Sequence, residues 1–139
     1  MNRKMLVAVC LTAAFLLAQE SGGRPFTTTL TGAAEIPGPG DPDGSGVANL
    51  TLNSGQGQVC YDIAVSDIET VTAAHIHLGD ATVAGDVVVP LPPQNGDLNG
   101  CVSADRDLIK TIRQNPEQYY VNVHNAEFPA GALRGQLGK

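Results

Sequence analysis

The sequence predicts an all-β fold: an antiparallel β-sandwich or flattened Greek-key barrel of seven to eight strands, with one short helix in a crossover. Three observations carry that expectation. Short runs rich in β-branched residues alternate apolar with polar side chains. Glycine, proline, asparagine and aspartate punctuate these runs at close intervals. A single stretch has helical periodicity, and it lies late in the chain.

The first strand is Phe26-Thr27-Thr28-Thr29-Leu30-Thr31, ended by Gly32 and followed by a loop over 36–44 too rich in Gly, Pro and Asp for regular structure. Residues 46–52 alternate Val47, Asn49 and Thr51 against Ala48, Leu50 and Leu52. Asn53-Ser54-Gly55-Gln56-Gly57 reads as a hairpin turn into the next strand. There Val59, Tyr61, Ile63 and Val65 share one face, with Gln58, Cys60, Asp62 and Ala64 on the other. Further strands are expected over 71–78, over 85–91 with its Val87-Val88-Val89 run, and over 98–103. Helical spacing of Leu108, Ile109 and Ile112 over 105–114 predicts the one helix, capped by Asp105 and stopped before Pro116. Strands over 119–125 and 132–137 complete the chain.

The N-terminus has the layout of a secretory signal peptide, assigned to residues 1–22 ahead of a single domain over 23–139. Arg3 and Lys4 precede an apolar run from Met5 to Ala18 broken only by Thr12. Small residues near Ala18 and at Ser21-Gly22-Gly23 offer cleavage sites. The run is shorter than the roughly 20 residues a membrane helix needs, so no membrane span is expected after signal removal. A secreted or periplasmic location follows. The remaining chain of roughly 120 residues suits one core.

Beyond the signal stand two cysteines, Cys60 and Cys101. An even pair in an exported chain reads as a disulfide. Closing a loop of about 40 residues would contribute on the order of 4 kcal/mol at most. The chain is acidic, with a formal net charge of −6. Its cations beyond the signal are Arg24, Arg106, Lys110, Arg113, Arg134 and Lys139, which form no stripe able to track phosphates, so nucleic acid is excluded as a partner. No nucleophile motif, Gly-rich phosphate loop or general acid–base pair is present. Acidic turns at Asp41, Asp43, Asp80 and Asp86 are explained by turn chemistry rather than by a calcium loop.

His75, His77 and His124 are all the histidines of the chain. In 71–78, Ala74, Ile76 and Leu78 should face the core, with Ala73, His75 and His77 on the outer side. In 119–125, Val121 and Val123 face inward and Tyr120, Asn122 and His124 outward. Imidazoles two residues apart on a strand start about 7 Å from each other, and a neighbouring strand places a third about 5 Å away. If the two strands pair, the histidines form a shallow three-nitrogen metal site suited to copper, with zinc as the alternative. The competing reading is ordinary polar residues on a solvated face.

Nearly the whole chain beyond the signal, 26–137, resembles the CHRD domain family, named for its occurrence in chordin. The resemblance rests on Phe26-Thr27-Thr28-Thr29-Leu30-Thr31-Gly32-Ala33-Ala34-Glu35-Ile36-Pro37 and on Val71-Thr72-Ala73-Ala74-His75-Ile76-His77. It closes on Asn115-Pro116, Tyr119-Tyr120-Val121-Asn122-Val123-His124-Asn125, Phe128-Pro129, Gly131 and Leu133-Arg134-Gly135-Gln136-Leu137. It implies a secreted β-sandwich module, found in many bacterial exported proteins and in an animal growth-factor antagonist, without an established enzymatic activity. Such sequences usually carry Gly-Glu before the final block, where this chain has Gly131-Ala132.

His75-Ile76-His77-Leu78-Gly79-Asp80 also resembles the stretch that supplies two copper ligands in copper/zinc superoxide dismutase. Val121-Asn122-Val123-His124 is similar to the one supplying a later ligand. That likeness implies His75, His77 and His124 as copper ligands. The bridging histidine and the zinc ligands of that family have no counterparts here.

The expected function is therefore an exported CHRD-domain protein binding copper through His75, His77 and His124, with no catalytic residue assigned. The alternatives are a metal-free interaction module with an extracellular or periplasmic protein partner, and a single-metal dismutase-like enzyme. Glu35 and Arg134 are expected to serve a structural or partner contact.

Overall fold

A computed structural model describes residues 23–139; the expected signal segment lies outside the described residues. Eight antiparallel strands form one sheet: β1 (Arg24–Thr31), β2 (Ser45–Asn53), β3 (Gln58–Ser66), β4 (Val71–Leu78), β5 (Val87–Pro90), β6 (Asn99–Ser103), β7 (Tyr119–Asn125) and β8 (Leu133–Gln136). Their order is β5-β4-β7-β8-β1-β2-β3-β6, and the sheet curls into a nearly closed barrel with sandwich character. The sandwich character has a local cause. β1 and β8 pair only at Thr31 and Arg134, so two four-stranded halves meet at a narrow seam.

Alternation explains the core. Ala48, Leu50 and Leu52 of β2, Val59, Tyr61 and Ile63 of β3, Ala74 and Ile76 of β4, and Val121 and Val123 of β7 are all buried. The β2–β3 register is continuous from Ser45–Ser66 to Asn53–Gln58. Its turn is held by the Asn53 side chain, which accepts from the Gln56 amide at 3.0 Å, and by Gly57 at φ +64°, a conformation that favours glycine. Helix α1 (Arg106–Gln114) crosses from edge strand β6 to β7 and inserts Ile109 and Ile112 into the core. Its start is capped as the sequence implies, with the Asp105 carboxylate accepting from Leu108 N at 2.9 Å.

The segment between the two edge strands closes the gap between the halves. Leu91 N donates to Ala74 O, Ile63 N to Leu98 O, and the Tyr61 hydroxyl to Pro92 O at 2.6 Å. Pro90 fits in β5 because an edge strand can lack one ladder donor.

Two expectations need correction. Leu78 has the parity of a core residue but is the last residue of β4 and is 48 % exposed. Parity selects a side of the sheet; it does not guarantee that the core reaches the strand end. The outer face of β4-β7-β8 is not solvated either. Tyr120, Asn122 and Arg134 are buried there, together with His77. Two connections cover them: the loop over 79–86, and the segment after β1 that begins with a 3-10 turn at Gly32–Ala34.

Candidate metal centre

The covered face is a second, polar layer outside the barrel core. Across β4 and β7, His77 stands opposite Tyr120, His75 opposite Asn122, and Ala73 opposite His124. Across β7 and β8, Asn122 stands opposite Arg134 and Tyr120 opposite Gln136. These residues share one face because side chains alternate along each strand.

Arg134 holds the 79–86 loop onto this layer. Its guanidinium donates to Val83 O at 2.9 Å and Asp80 O at 2.6 Å, and its carbon lies 3.4 Å from the Tyr120 ring centroid. Tyr120, on the strand between, also stacks on His77 with centroids 4.8 Å apart and an interplanar angle of 8°. The Gly85 amide donates to the Tyr120 hydroxyl at 3.0 Å. Gln136 adds donations to Gly79 O at 2.7 Å and Glu117 O at 2.8 Å. A buried guanidinium satisfied mainly by carbonyls fixes the loop that flanks His77.

Glu35 covers the other side. Its carboxylate accepts a short hydrogen bond from Asn122 Nδ2, which also donates to Leu133 O at 3.0 Å. Burial pushes the Glu35 carboxyl up to about 7, opposed by the Asn122 bond and by Arg134. Glycine is required where Glu35 presses on the chain: a Cβ at Gly131 would overlap the carboxylate, and Gly131 has φ +147°. Asp41 anchors the end of the same segment, its carboxylate accepting from Gly44 N at 2.9 Å while its own amide donates to Ala132 O.

The three histidines meet at the edge of this layer. Ring centroids are 5.4 Å apart for His75 and His77, 5.0 Å for His75 and His124, and 6.0 Å for His77 and His124. Each offers a ring nitrogen, and these nitrogens lie within 4.8 Å of one another. Among the described residues no other set of three His, Cys, Asp or Glu side chains converges in this way. A separate acidic cleft of about 360 Å³, lined by Asp41, Asp43, Asp67, Glu69 and Glu127 with apolar neighbours, forms no such set.

Backbone carbonyls assign the tautomers. His77 Nδ1 lies 2.9 Å from Gly85 O, and His124 Nδ1 lies 3.1 Å from Pro129 O. A carbonyl only accepts, so both Nδ1 atoms carry the proton and both Nε2 atoms present a lone pair. His75 Nδ1 stands 3.1 Å from His124 Nε2 and donates to its lone pair. His77 Nε2 is buried and has no hydrogen-bond partner.

The surroundings of all three imidazoles favour the neutral form. Burial pushes His75 down to about 4, helped by the neighbouring His124 and His77. His77 is lowered by burial and further by Arg134, against the Gly85 carbonyl and Asp86. His124 is lowered by burial against the Pro129 carbonyl, with His77 adding to the shift. Neutral imidazole is the form that binds transition metals.

Residues 26–137 match the family model described as CHRD domain. This chain belongs to the CHRD domain family. No curated protein and no solved structure matches it. The CHRD domain is an extracellular type of module, and a disulfide agrees with that: Cys60 and Cys101 face each other across β3 and β6 and are bonded, with S–S 2.04 Å. Among the described residues no helix is long and apolar enough to cross a membrane.

Sequence reasoning missed the partners that make the CHRD outer face a buried layer: Tyr120, Asn122, Gly85 and Pro129. Strand parity did put Tyr120 and Asn122 beside the histidines. Nothing in the 79–86 loop signals that it folds back over them.

Proposed function

We propose that this CHRD domain is an exported module that binds one transition-metal ion through His75, His77 and His124, copper ahead of zinc. The observation that carries this reading is His77 Nε2. A buried polar atom without a partner costs about 1–3 kcal/mol, and this one lies among two further imidazoles that hold lone pairs. An ion would give it a partner.

The donor chemistry fits. Two ligands at roughly 2.0–2.1 Å from one ion stand about 4.2 Å apart at most and about 3.4 Å apart in a tetrahedral site, so closing a 4.8 Å span takes ring movements of about 0.6 to 1.4 Å. Three imidazoles without a thiolate suit Cu(II) and Zn(II), and at equal geometry the copper complex is tighter. The Gly85 and Pro129 carbonyls would orient His77 and His124 toward the ion, the usual service of such bonds in metal sites. His75 would release its hydrogen bond to His124 as the ion enters.

Binding, rather than turnover, is the reading supported by Arg134. It is buried and committed to the carbonyls of Asp80 and Val83, so it does not stand exposed to attract an anionic substrate such as superoxide.

Titration of the protein lacking residues 1–22 with Cu(II) tests the proposal. One equivalent should bind, and a variant with all three histidines replaced by alanine should remain folded and lose binding. Equal affinity in the folded triple variant would sink it.

A further inference from the structure

On the opposite half of the barrel from the histidines, a cleft of about 320 Å³ is lined by Arg24, Ser54, Lys110, Arg113 and Gln114. No carboxylate is among these residues. The chain carries a net charge of −6, and six cations follow residue 22: Arg24, Arg106, Lys110, Arg113, Arg134 and Lys139. Three of the six converge on this one cleft. Like charges gathered in an acidic protein repel each other, and a bound anion removes that repulsion.

The two arginines are positioned while most of their donors remain available. Arg24 donates through Nη1 to the Arg113 carbonyl at 2.7 Å, and its guanidinium carbon lies 4.8 Å over the Phe26 ring. That bond caps a carbonyl at the C-terminal end of α1, which offsets the negative end of the helix dipole beside the cleft. Arg113 donates through Nη1 to the Ser54 hydroxyl at 2.8 Å. An arginine offers five N–H donors and a lysine three. Lys110 and Gln114 are exposed at the mouth, whereas Arg24, Ser54 and Arg113 are half-buried. The arrangement gives two guanidinium groups held by hydrogen bonds and one exposed ammonium beside them.

We propose that this cleft binds a sulfate or phosphate ester carried on a sugar-sized body. Forked guanidinium groups match a tetrahedral oxyanion. The volume exceeds what a bare anion fills and lies at the lower end of small-molecule sites. Gln114 and Ser54 supply neutral polar contacts suited to hydroxyl groups. The cleft is separate from the histidine cluster, so the two proposals stand or fall independently.

The test is calorimetric titration of the protein lacking residues 1–22, at fixed ionic strength, with glucose 6-sulfate, glucose 6-phosphate, inorganic sulfate and inorganic phosphate. At least one sugar ester should bind one-to-one and more tightly than its inorganic anion; comparison of the two esters distinguishes sulfate from phosphate. K110E changes an exposed side chain and should weaken that binding at least tenfold. K139E, outside the cleft, should leave it unchanged. Thermal unfolding of both variants checks that each is folded. Absence of saturation by either ester up to about 10 mM, equal binding by a folded K110E, or tighter binding of the inorganic anions would each overturn the proposal.

Discussion

His75 Nδ1 and His124 Nε2 lie 3.1 Å apart although 49 residues separate them in the chain. The contact is a product of topology. β4 and β7 are neighbours only because the helix crossover returns the chain to the other half of the sheet, and the register then sets Ala73 opposite His124, two residues from His75 on the same face. With Nδ1 of His124 on Pro129 O, the shared hydrogen bond has one direction, from His75 to His124. In the proposed metal complex an ion would take the place of that hydrogen bond, with the His75 proton carried on Nε2 instead.

Copper affinity should therefore resist acid further than ordinary histidine sites do. Protons compete with a metal for an unperturbed imidazole below about pH 6.5, but His75 is pushed to about 4 and the other two are also lowered. Dissociation constants measured from pH 8 down to 4.5 should begin to rise at a lower pH than they do for an unperturbed histidine site. A loss of affinity beginning at pH 7 would contradict the assigned environment.

Stability of the metal-free protein should depend on pH through two opposing groups. The histidines are depressed in the fold, so the unfolded chain binds more protons below about pH 6.5 and stability falls as pH drops from there toward 4. Glu35 is raised from 4.5 to about 7, so its contribution is full below 4.5 and is lost as pH rises through 7. Glu35→Gln keeps an acceptor for Asn122 and removes the buried charge. Denaturant melts should show it about 1 kcal/mol more stable than the parent at pH 8, after discounting for the nearby Arg134 charge, and no more stable at pH 4. A variant less stable at pH 8 would mean that Glu35 is needed as the counter-ion of Arg134.

Tyr120 links the 79–86 loop, the Arg134 cation and His77. Tyr120→Phe loses the bond from the Gly85 amide and should cost about 1 kcal/mol with the copper stoichiometry intact. Tyr120→Ala removes the surface against which His77 and Arg134 pack and should cost about 3–5 kcal/mol. It should also weaken copper binding, since the Gly85 carbonyl orients His77. Equal affinities in the parent and a folded Tyr120→Ala would show that the 79–86 loop does not position His77.

Replacing Cys60 and Cys101 together by serine should cost about 2–4 kcal/mol, from the loop their bond closes across 41 residues. The bond ties β3 to edge strand β6, in the half of the sheet remote from β4 and β7. The folded double variant should therefore bind copper as the parent does. Altered stoichiometry would reveal coupling between the halves.

Two of the alternating strands were legible to the residue, whereas the one expected over 46–52 extends to Ser45–Asn53. The limits 71–78 and 119–125 agree with β4 and β7, because both faces of those strands are specified, one by Ala74, Ile76, Val121 and Val123, the other by polar residues. The strand expected over 85–91 shortens to Val87–Pro90. Gly85 directs its amide to Tyr120 and its carbonyl toward His77, contacts that no local pattern encodes. The cover over the outer face was illegible for the same reason. It depends on a long-range stack of Arg134 on Tyr120 and on Glu35 reaching Asn122 across 87 residues. Hydrophobic periodicity reports the barrel interior and is silent about a polar layer buried by loops.

Electron paramagnetic resonance of the protein with one equivalent of Cu(II), read for hyperfine coupling to ligand nitrogens, reports directly whether His75, His77 and His124 hold one ion. A three-histidine site gives a single copper species coupled to three imidazole nitrogens, reduced to two or fewer in a folded His77→Ala variant. A parent spectrum without imidazole coupling, or one unchanged by His77→Ala, would contradict it.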